Sequence, residues 1–509
     1  MNQKQKIYTI AEIQKIISKV KMQKKTVALC HGVFDQLHIG HVHHLAQAKK
    51  MADYLIVTIT ADKYVKKGPG KPYFNELNRL KMLASLEHVN FVSINYQSDA
   101  IQLIKLLKPN FYFKGPDYKN KNEDITGKIK AEIKAAKSVK CKVLTTNEDV
   151  IYSSSSILNK KKNIFDTSQK KLIDKIRKNF TFNEIKKKID NFSNLKIMVI
   201  GETIIDDYVF CEGLGKSGKE SVLALRKIKS ERFLGGCLAI ARHLNSFTKN
   251  ISVISSIGEN KEHENFIKSK IEKNIKLNFI YKKKSPTIVK RRYLDIIDNR
   301  KLLGIYELND DSLNISQEKK LIKILKKNII KNDLILIADY GHGLITKKVA
   351  KFLCTSSKFL ALNAQVNSAN IGYSELKKYQ NVDCLIINAT ELRHEMRERD
   401  GQIDLLSKKL KKKIKCKSLT VTQGRAGLIT INSKNKIFKA PAFASEVIDK
   451  VGAGDALLSL LAMCLKNKND EDLSNFISSI VAAQSVENIG NSKPINKANL
   501  LKYIQYIIK

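Results

Sequence analysis

The 509-residue sequence contains no tryptophan, and none of its eight cysteines forms a C-x-x-C pair. The cysteines are far apart, which favours reduced thiols in a cytoplasmic protein over a disulfide framework or a zinc site. The N-terminal residues lack the apolar stretch of a signal peptide. The longest apolar run, residues 456–465, is too short to span a bilayer and is interrupted by Ser459. We therefore expect a cytoplasmic protein without membrane contact.

Acidic residues are scarce relative to basic ones, with 49 Asp and Glu against 92 Lys and Arg and a net charge of +43. Such a surplus is typical of proteins that bind nucleic acid or another polyanion. Here the surplus is nearly all lysine and is spread along the whole chain, whereas a nucleic-acid groove concentrates arginine and aromatic residues. We interpret it as a compositional bias and do not expect a nucleic-acid partner. The alternative interpretation of the charge, from another functional class, is a basic protein that binds nucleic acid.

Short apolar runs typical of strands alternate with helical patterns in two stretches of the sequence. This alternation predicts parallel sheets with helices on both faces. We expect an α/β fold of two tandem domains, residues 1–160 and 191–509, joined by a helical linker at 161–190. The β-rich segments 221–229 and 286–295 predict a small lid. The predicted strands are 26–30, 54–60, 91–95, 110–113 and 142–145 in the first domain, and 195–201, 334–338, 359–362, 383–387 and 418–422 in the second.

Half of the ten histidines lie between His31 and His44, where a predicted strand gives way to a helix. The first turn of a helix presents free N–H groups and the positive end of the helix dipole, which together favour a phosphate. Gly40 lets the backbone approach that phosphate. His38 and His41 can donate hydrogen bonds to charge that develops on a phosphoryl group. A zinc cluster and a solvated histidine-rich turn are the alternatives, and zinc is disfavoured because ligand spacing is lacking.

The residues G-V-F-D-x-L-H-x-G-H at 32–41 resemble the cytidylyltransferase-like family of nucleotidyltransferases. The segments 60–72, 78–80, 114–118 and 152–157 resemble the same family in the same order. The letters H-I-G-H also match the signature of class I aminoacyl-tRNA synthetases, but no K-M-S-K-S-like segment follows them. A serine run such as 153–156 is by itself more typical of a capped loop.

This resemblance implies a Rossmann-like domain that transfers a nucleotidyl group. A sugar-phosphate oxygen would attack the α-phosphorus of a nucleoside triphosphate, and pyrophosphate would leave with Mg²⁺ neutralising its charge. His38 and His41 would be catalytic, and Asp35, Lys114 and Asp117 would contact the substrate. The implied nucleotide or phosphate contacts are Gly32, Phe34, Gly40, Lys67, Arg79, Ser153, Ser154, Ser155 and Ser156.

A second candidate site lies at residues 449–457, D-K-V-G-A-G-D-A-L, ahead of a helical run. Small residues before a helix expose N–H groups to an anion, and Asp455 can accept a hydroxyl proton. A helix N-cap with a flexible turn is the alternative. The segment resembles the D-T-x-G-A-G-D signature of ribokinase-like (PfkB-type) carbohydrate kinases. That resemblance implies that Asp455 is the base and that Gly452, Ala453 and Gly454 form an anion hole for the transferred phosphoryl group.

Further segments resemble the same kinase family in the same order along about 310 residues. The resemblance implies sugar contacts by Asp206, Gly235 and Gly236, and nucleotide or phosphate contacts by Asn388, Glu391, Thr422, Gly424 and Gly427. No cluster of side chains is predicted to bind metal directly, so Mg²⁺ is expected through phosphates, with Glu391 as a candidate contact. Asp339 is interpreted either as an active-site residue or as part of a turn. Ala239 stands where the family usually has a substrate-contacting asparagine.

The pairing of these two domains resembles the bifunctional heptose 7-phosphate kinase/heptose 1-phosphate adenylyltransferases of lipopolysaccharide precursor synthesis, with the domain order reversed. It implies phosphorylation of a sugar by ATP and transfer of AMP to a sugar 1-phosphate. The alternatives are another sugar or polyol phosphate with CTP as donor, or one domain degenerated to a regulatory module. The partners expected are sugar phosphates, nucleoside triphosphates and a second copy of the chain.

Overall fold

The computed structural model describes residues 6–65, 72–115, 128–145, 165–218, 220–365 and 376–508. The chain divides near residue 166 into two compact units. None of the described helices is long and apolar enough to cross a membrane.

The first unit contains a five-stranded parallel sheet with the strand order β3-β2-β1-β4-β5. Alternate residues of β1 pack on opposite faces, with Leu29 against Ile13 and Ile104, and Cys30 among the residues packed around Leu45. The sheet is therefore covered on both faces, as the strand–helix alternation predicts. The strands are β1 (Val27–Gly32), β2 (Tyr54–Thr60), β3 (Phe91–Asn95), β4 (Phe111–Lys114) and β5 (Lys142–Thr145), and the helices are Ile10–Met22, Ile39–Lys50, Glu76–Ala84, Ile101–Leu107 and Lys128–Ser138.

The second unit contains a nine-stranded sheet with the order β10-β9-β6-β13-β14-β15-β16-β17-β18, in which only β17 and β18 pair antiparallel to their neighbours. Its strands are β6 (Ile197–Gly201), β9 (Ile251–Gly258), β10 (Lys276–Lys282), β13 (Leu334–Asp339), β14 (Leu360–Ala364), β15 (Cys384–Asn388), β16 (Ser418–Thr422), β17 (Leu428–Ile431) and β18 (Ile437–Ala440). Its helices are Thr167–Asn179, Phe182–Asp190, Cys237–Leu244, Glu264–Lys270, Ile315–Asn328, Lys347–Ser356, Ala389–Met396, Ile403–Ile414, Ala453–Lys466 and Glu471–Val486. The last helix, Lys497–Ile508, begins in this unit, and its residues 501–507 belong to the first unit.

A separate four-stranded sheet with the order β12-β11-β7-β8 forms the predicted β lid. Its strands are β7 (Thr203–Lys216), β8 (Leu223–Gly236), β11 (Ile288–Asp295) and β12 (Lys301–Glu307). The predicted segments 221–229 and 286–295 correspond to parts of β8 and β11. The β-rich composition of these two segments predicted the strands, whereas β7 and β12 were not predicted.

The order of strands places a crevice at the carboxyl ends of neighbouring strands in each unit. In the second unit the chain runs from β6 to β9 and β10 on one side, and returns to β13 on the other side of β6. In the first unit the equivalent reversal lies between β1 and β4. In open α/β sheets, ligands bind where the strand order reverses, because the connections that follow the two neighbouring strands run to opposite sides of the sheet. Both predicted sites lie at these edges.

Candidate active sites

In the first unit, the candidate site is the loop between β1 and the helix Ile39–Lys50. His38 caps this helix, because its Nδ1 accepts a hydrogen bond from the backbone N–H of Gly40 at 3.1 Å. A neutral imidazole that accepts at Nδ1 carries its proton on Nε2. The Nε2 donor and the positive end of the helix dipole therefore belong to one short segment, which suits an anionic ligand.

The two predicted catalytic histidines lie together in this loop. The ring centroids of His38 and His41 are 4.0 Å apart, and the Phe34 ring is 5.5 Å from that of His41. Burial lowers the pKa of His38, which favours its neutral form. Phe34 and Gln36 have φ angles of 49° and 53°, a conformation that costs free energy at residues other than glycine. The structure thus assembles both imidazoles on a strained loop.

Asp35 and Gly32 help to fix the shape of the loop. The Asp35 carboxylate accepts hydrogen bonds from the backbone N–H groups of Tyr73, at 2.8 Å, and of Phe74, at 3.1 Å. A Cβ atom on Gly32 would lie 3.2 Å from the ring of Phe34, which is a tight contact. In this structure, Asp35 therefore ties two segments of the first unit together.

Arg79 is fully buried, and its guanidinium is surrounded by acceptors of the protein. It donates to the carbonyl oxygens of Phe74 at 3.0 Å, Val33 at 2.5 Å and Thr60 at 2.9 Å, and to the carboxylate of Asp62 at 2.6 Å. Four of its five N–H donors are committed to these groups, so Arg79 organises the loop in this structure, and its phosphate contact stays a prediction.

Lys114 lies at the end of β4 in a buried ion pair, with its Nζ 2.6 Å from Glu132 Oε2. The hydroxyl of Tyr112 also donates to Glu132, at 3.1 Å. Burial, assisted by the positive charge of Lys114, lowers the pKa values of His31 and His44 to about 4. Lys114 therefore acts as a positive charge on the histidine-rich segment, and its ion pair with Glu132 offsets part of that charge.

The remaining predicted residues of this site, Lys67, Asp117, Ser153, Ser154, Ser155 and Ser156, lie outside the described residues. Within the ranges that the structure describes, no group of three or more His, Cys, Asp or Glu side chains is placed to hold a metal ion.

In the second unit, the predicted anion hole is the start of the helix Ala453–Lys466. Gly452 is the N-cap with a φ of +87°, and a Cβ atom there would lie 2.2 Å from Asn491 Oδ1. A Cβ atom on Gly454 would meet nothing within 4 Å. The helix start is therefore closely packed at Gly452 and open at Gly454, beside Asp455. Open space next to free N–H groups is the arrangement that a phosphoryl group requires.

Asp455 is a buried carboxylate whose Oδ1 accepts a hydrogen bond from the hydroxyl of Tyr340 at 2.9 Å. Burial, together with the negative charges of Asp206 and Glu391, raises its pKa to about 7. The hydrogen bond from Tyr340 and the charge of Lys290 oppose this rise. A carboxylate with a pKa near neutrality is suited to accept a proton at physiological pH.

Asp206 lies on β7, where the lid sheet leaves the core. Arg292 donates to its Oδ1 at 2.6 Å, and the side-chain amide of Asn491 donates to its Oδ2 at 3.3 Å. A Cβ atom on Gly235 would lie 2.3 Å from Asp206 Oδ2, and Gly236 has a φ of +59°. The two glycines therefore give β8 the space and the backbone conformation needed beside this carboxylate.

Glu202 is a fully buried residue that follows β6, and sequence reasoning did not identify it as part of the site. Its carboxylate accepts hydrogen bonds from the backbone N–H groups of Tyr340 at 3.0 Å and Leu344 at 3.3 Å. Burial and the nearby charge of Asp339 raise its pKa to about 7. Glu202 thereby holds the loop from which Tyr340 reaches Asp455.

Asp339, the last residue of β13, is enclosed by groups of its own unit. Its carboxylate accepts hydrogen bonds from the hydroxyl of Tyr379 at 2.7 Å and from the backbone N–H of Gly341 at 3.0 Å, and Lys378 Nζ lies 2.7 Å away. These contacts support the turn interpretation, because the side chain is satisfied within the protein.

The predicted nucleotide-side residues follow β15 and β16. Asn388 and Glu391 form a capping box, in which each side chain accepts a hydrogen bond of 2.8 Å from the backbone N–H of the other. Thr422 ends β16, and the turn after it contains Gly424 and Gly427 with φ angles of +59° and +87°. A Cβ atom on Gly424 would meet nothing within 4 Å. The N-x-x-E motif therefore has a structural role as well as its predicted ligand role.

Sequence reasoning missed Glu202, Tyr340 and Lys290 as parts of this site. Glu202 and Tyr340 directly follow β6 and β13, so their positions at the ends of two parallel strands were a usable signal. Lys290 lies inside β11, and only the folded lid brings it near the carboxylates. Ala239 is buried in the helix Cys237–Leu244.

Comparison with known families assigns both units. Residues 194–498 match the family model described as pfkB family carbohydrate kinase. Residues 29–160 match the model described as cytidylyltransferase-like. The family resemblances given by the motifs at both sites are thus confirmed.

Curated relatives match parts of the chain. Bifunctional protein HldE of Campylobacter jejuni (strain RM1221) is 27% identical over 299 residues, which cover 58% of this chain and 62% of that protein. Bifunctional protein HldE of Aliarcobacter butzleri (strain RM4018) is 40% identical over 147 residues, covering 28% of this chain and 30% of that protein. Each alignment thus spans less than two thirds of the relative's length.

Among solved structures, the phosphofructokinase-2 of Escherichia coli, crystallised in complex with potassium, aligns with a TM-score of 0.50 and 14% sequence identity. The alignment covers 62% of this chain and the whole of that one. At this level of identity the likeness shows the fold alone, and it confirms the ribokinase-like α/β architecture predicted for the larger part of the chain.

The open space at Gly454 allows a test of whether the transferred phosphoryl group binds there. The variant Gly454→Ala should fold as stably as the wild type, because alanine is favoured by up to about 1 kcal/mol inside a helix. Its methyl group would occupy the space for a phosphoryl group, so ADP release from ATP with a sugar acceptor should fall about 10²-fold, the cost of a misplacement near 1 Å. The control is Gly213→Ala on β7, where a Cβ also meets nothing within 4 Å. Equal rates in the two variants would contradict the assignment.

Proposed function

The chain belongs to the pfkB family of carbohydrate kinases, and on that premise we propose that it combines a sugar kinase with a sugar-phosphate nucleotidyltransferase. The observation that carries the kinase part is the buried Asp455, with a pKa raised to about 7, beside the open helix start at Gly454. A base and an anion hole within one helical turn are the two groups that transfer of a phosphoryl group to an alcohol needs.

In the proposed kinase reaction, Asp455 accepts the proton of a sugar hydroxyl as the oxygen attacks the γ-phosphorus of ATP. The bond between the γ-phosphorus and the β,γ-bridging oxygen breaks, and ADP leaves. The backbone N–H groups of residues 452–454 stabilise the charge on the transferred phosphoryl group. In this proposal Asp206 holds other hydroxyls of the sugar, which its charge effect on the pKa of Asp455 supports.

Mg²⁺ is the metal that such a reaction typically uses. It keeps several waters and is held by one or two carboxylates together with substrate phosphates. Glu391 fits this requirement, because it is a buried carboxylate close enough to raise the pKa of Asp455. When bound, the ion would neutralise charge on the triphosphate, and Glu391 would be its protein contact.

In the proposed transferase reaction, an oxygen of a sugar 1-phosphate attacks the α-phosphorus of a nucleoside triphosphate, and pyrophosphate leaves. His38 and His41 donate hydrogen bonds to the charge that develops, and Lys114 supplies a positive charge that Glu132 partly offsets. The reaction needs no protein nucleophile, so positioning and electrostatics provide the rate. The paired imidazoles, 4.0 Å apart, support this assignment.

For substrates, we propose heptose 7-phosphate or a similar sugar for the kinase, and AMP transfer from ATP for the transferase. The bifunctional naming of the relatives supports two activities in one chain. A second candidate keeps both reactions but uses another sugar or polyol phosphate with CTP. The buried Ala239 favours it, since an alanine cannot make the sugar contact of the usual asparagine. A homo-oligomer in the cytoplasm belongs to this proposal, and the eight free thiols suit a reducing compartment.

Product analysis by mass spectrometry tests the proposal. The full chain is given heptose 7-phosphate with either ATP or CTP, with and without a phosphatase that removes the 7-phosphate. We expect a heptose bisphosphate with ATP alone, and ADP-heptose once the phosphatase is present. A cytidylyl sugar or polyol would favour the second candidate, and the absence of any phosphorylated or nucleotidylated product would overturn the proposal.

The two activities should be separable by single substitutions. Asp455→Asn should abolish ADP formation and leave pyrophosphate release unchanged, because it removes only the kinase base. His41→Ala should lower pyrophosphate release by about 10²- to 10³-fold, the cost of one donor to developing charge, and leave ADP formation unchanged. Separate assays measure the two activities, with heptose 7-phosphate and ATP for ADP formation and with heptose 1-phosphate and ATP for pyrophosphate release. Loss of both activities in either variant would show that the two units do not work independently.

The pH dependence of the kinase should respond to Tyr340. Its hydroxyl stabilises the ionised form of Asp455, so Tyr340→Phe should raise the pKa of that carboxylate above its value of about 7. Because the base works deprotonated, the rise of kcat/KM with pH should move upward by about one to two units, given about 1.5–3 kcal/mol for a hydrogen bond to a charged group. The control is Tyr379→Phe, which removes a buried hydroxyl that donates to Asp339. An unshifted profile in Tyr340→Phe would refute this role.

A further inference from the structure

Asn491 lies between the lid sheet and the helix that carries the proposed anion hole. It follows the helix Glu471–Val486 and is 4% exposed. Its side-chain Nδ2 donates to Asp206 Oδ2 at 3.3 Å. Its amide oxygen lies so close to Gly452 that a Cβ atom there would be 2.2 Å from it. One buried amide therefore contacts both the carboxylate proposed to hold the sugar and the start of the helix that carries Asp455.

The backbone around Asn491 is fixed by contacts that do not involve its side chain. The guanidinium of Arg242 donates to the carbonyl oxygen of Asn491 at 3.3 Å. The backbone N–H of Ile495 donates to Nδ1 of His243 at 3.0 Å. Both anchors lie on the helix Cys237–Leu244. A substitution at position 491 should therefore leave the segment in place and report on the amide alone.

The orientation of the Asn491 amide agrees with the groups on its two sides. The carboxylate of Asp206 accepts from the nitrogen end. His243 accepts at Nδ1 from the backbone, so its proton is on Nε2. Burial lowers the pKa of His243 to about 3, and the side chain of Asn491 opposes this effect, as an acceptor beside the ring does. The amide oxygen therefore lies on the side of the imidazole, and the amide nitrogen on the side of the carboxylate.

This arrangement leaves polar atoms of Asn491 and His243 incompletely satisfied. The amide oxygen of Asn491 and Nε2 of His243 are buried, and neither has a hydrogen bond of normal geometry in the ranges that the structure describes. A buried polar atom without a hydrogen bond costs free energy, which an apolar side chain at position 491 would avoid. The amide therefore requires another role, and its hydrogen bond to Asp206 supplies one.

Two donors of different charge hold the Asp206 carboxylate. Arg292 donates to Oδ1 at 2.6 Å, and Asn491 donates to Oδ2. A carboxylate has about four lone-pair sites, so sites remain for hydroxyl groups of a ligand. A second paired cation would neutralise more of the carboxylate charge. The neutral amide fixes the orientation of Oδ2 and adds no positive charge, so Asp206 stays a strong acceptor.

We propose that Asn491 is a positioning residue of the kinase site, which orients Asp206 toward the hydroxyl groups of the sugar. Because the same amide rests against Gly452, it also sets the spacing between the sugar-holding carboxylate and the anion hole. The inference rests on the proposed function, since it requires that Asp206 holds the sugar. It assigns part of the affinity for the sugar to a residue outside the motifs that predict the site.

Steady-state kinetics of Asn491→Leu test this role. Leucine is similar to asparagine in size but cannot donate a hydrogen bond. The KM for heptose 7-phosphate should rise about 10-fold, as expected for the loss of one hydrogen bond to a charged group, whereas kcat and the KM for ATP should stay within about twofold. The control is Asn488→Leu, which removes an amide that donates to the carbonyl oxygen of Gln484 at 2.9 Å. An unchanged KM for heptose 7-phosphate in Asn491→Leu would overturn the inference.

The pH dependence of Asn491→Asp separates positioning from damage to the fold. The substitution places a second carboxyl group beside Asp206, and two such groups share a proton. At low pH the protonated group can donate to its neighbour as the amide does, whereas at high pH both are ionised and repel each other. The ratio of the KM for heptose 7-phosphate in the variant to that in the wild type should therefore rise between pH 6 and pH 8. A ratio above one that is the same at every pH would contradict the positioning role.

The ratio isolates the new carboxyl group, because the surrounding charged and titratable groups are present in both proteins. These groups are Tyr208 on β7, Lys290 and Arg292 on β11, Arg242 and His243 on the helix Cys237–Leu244, and Asp455 on the helix Ala453–Lys466.

A double-mutant cycle with Asn491→Leu and Asp206→Ala tests the pairing without any sugar. The melting temperature of the full chain is measured for the wild type, both single variants and the double variant. The shift in the double variant should be smaller than the sum of the single shifts, because both substitutions remove the same hydrogen bond. Additive shifts would exclude the pairing even if heptose 7-phosphate proves to be the substrate. Smaller shifts together with no phosphorylation of heptose 7-phosphate would support the pairing and refute the sugar assignment.

Discussion

The burial of carboxylates where β6 and β13 end is the constraint on which the kinase site depends. Glu202 is 0% exposed, and it is stabilised there by two backbone N–H groups of the loop after β13. A buried carboxylate without such donors would be expensive, so the loop and the carboxylate fix each other. The loop in turn carries Tyr340, whose hydroxyl meets Asp455. The position and the pKa of the base are therefore set by packing at the strand ends.

The proposed triphosphate sites of the two units share one arrangement of helix and strands but use different residues. In each, a helix begins at a crevice between parallel strands, and the positive end of its dipole lies where a triphosphate is proposed to bind. The first unit adds the adjacent imidazoles of His38 and His41, which suit charge developing on an α-phosphate. The second adds a carboxylate with a pKa near 7, which suits deprotonation of an alcohol. The two proposed reactions therefore differ in the proton acceptor: the second unit supplies a carboxylate for it, and the first unit supplies none.

Much of the fold could be predicted from the sequence, because strand–helix alternation is a local pattern. β2, β3, β5 and β16 have the predicted limits, and most of the other predicted strands differ by one or two residues. The strands β9, β10, β17 and β18 were not predicted. Motif letters also located Asp455, His38 and His41. Long-range contacts could not be read in this way: the burial of Arg79 by four acceptors depends on segments up to 46 residues apart. The proximity of Lys290 to Asp455 likewise depends on how the lid sheet pairs, which no local pattern records.

The most direct test of the kinase account is a crystal structure of the full chain with a sugar phosphate and a non-hydrolysable ATP analogue. The account predicts the acceptor hydroxyl within about 2.6–3.2 Å of the Asp455 carboxylate, as a base requires, and the γ-phosphate against the backbone N–H groups at the start of the helix Ala453–Lys466. A nucleotide bound elsewhere in the second unit, or a sugar whose hydroxyls all lie away from Asp455, would contradict it.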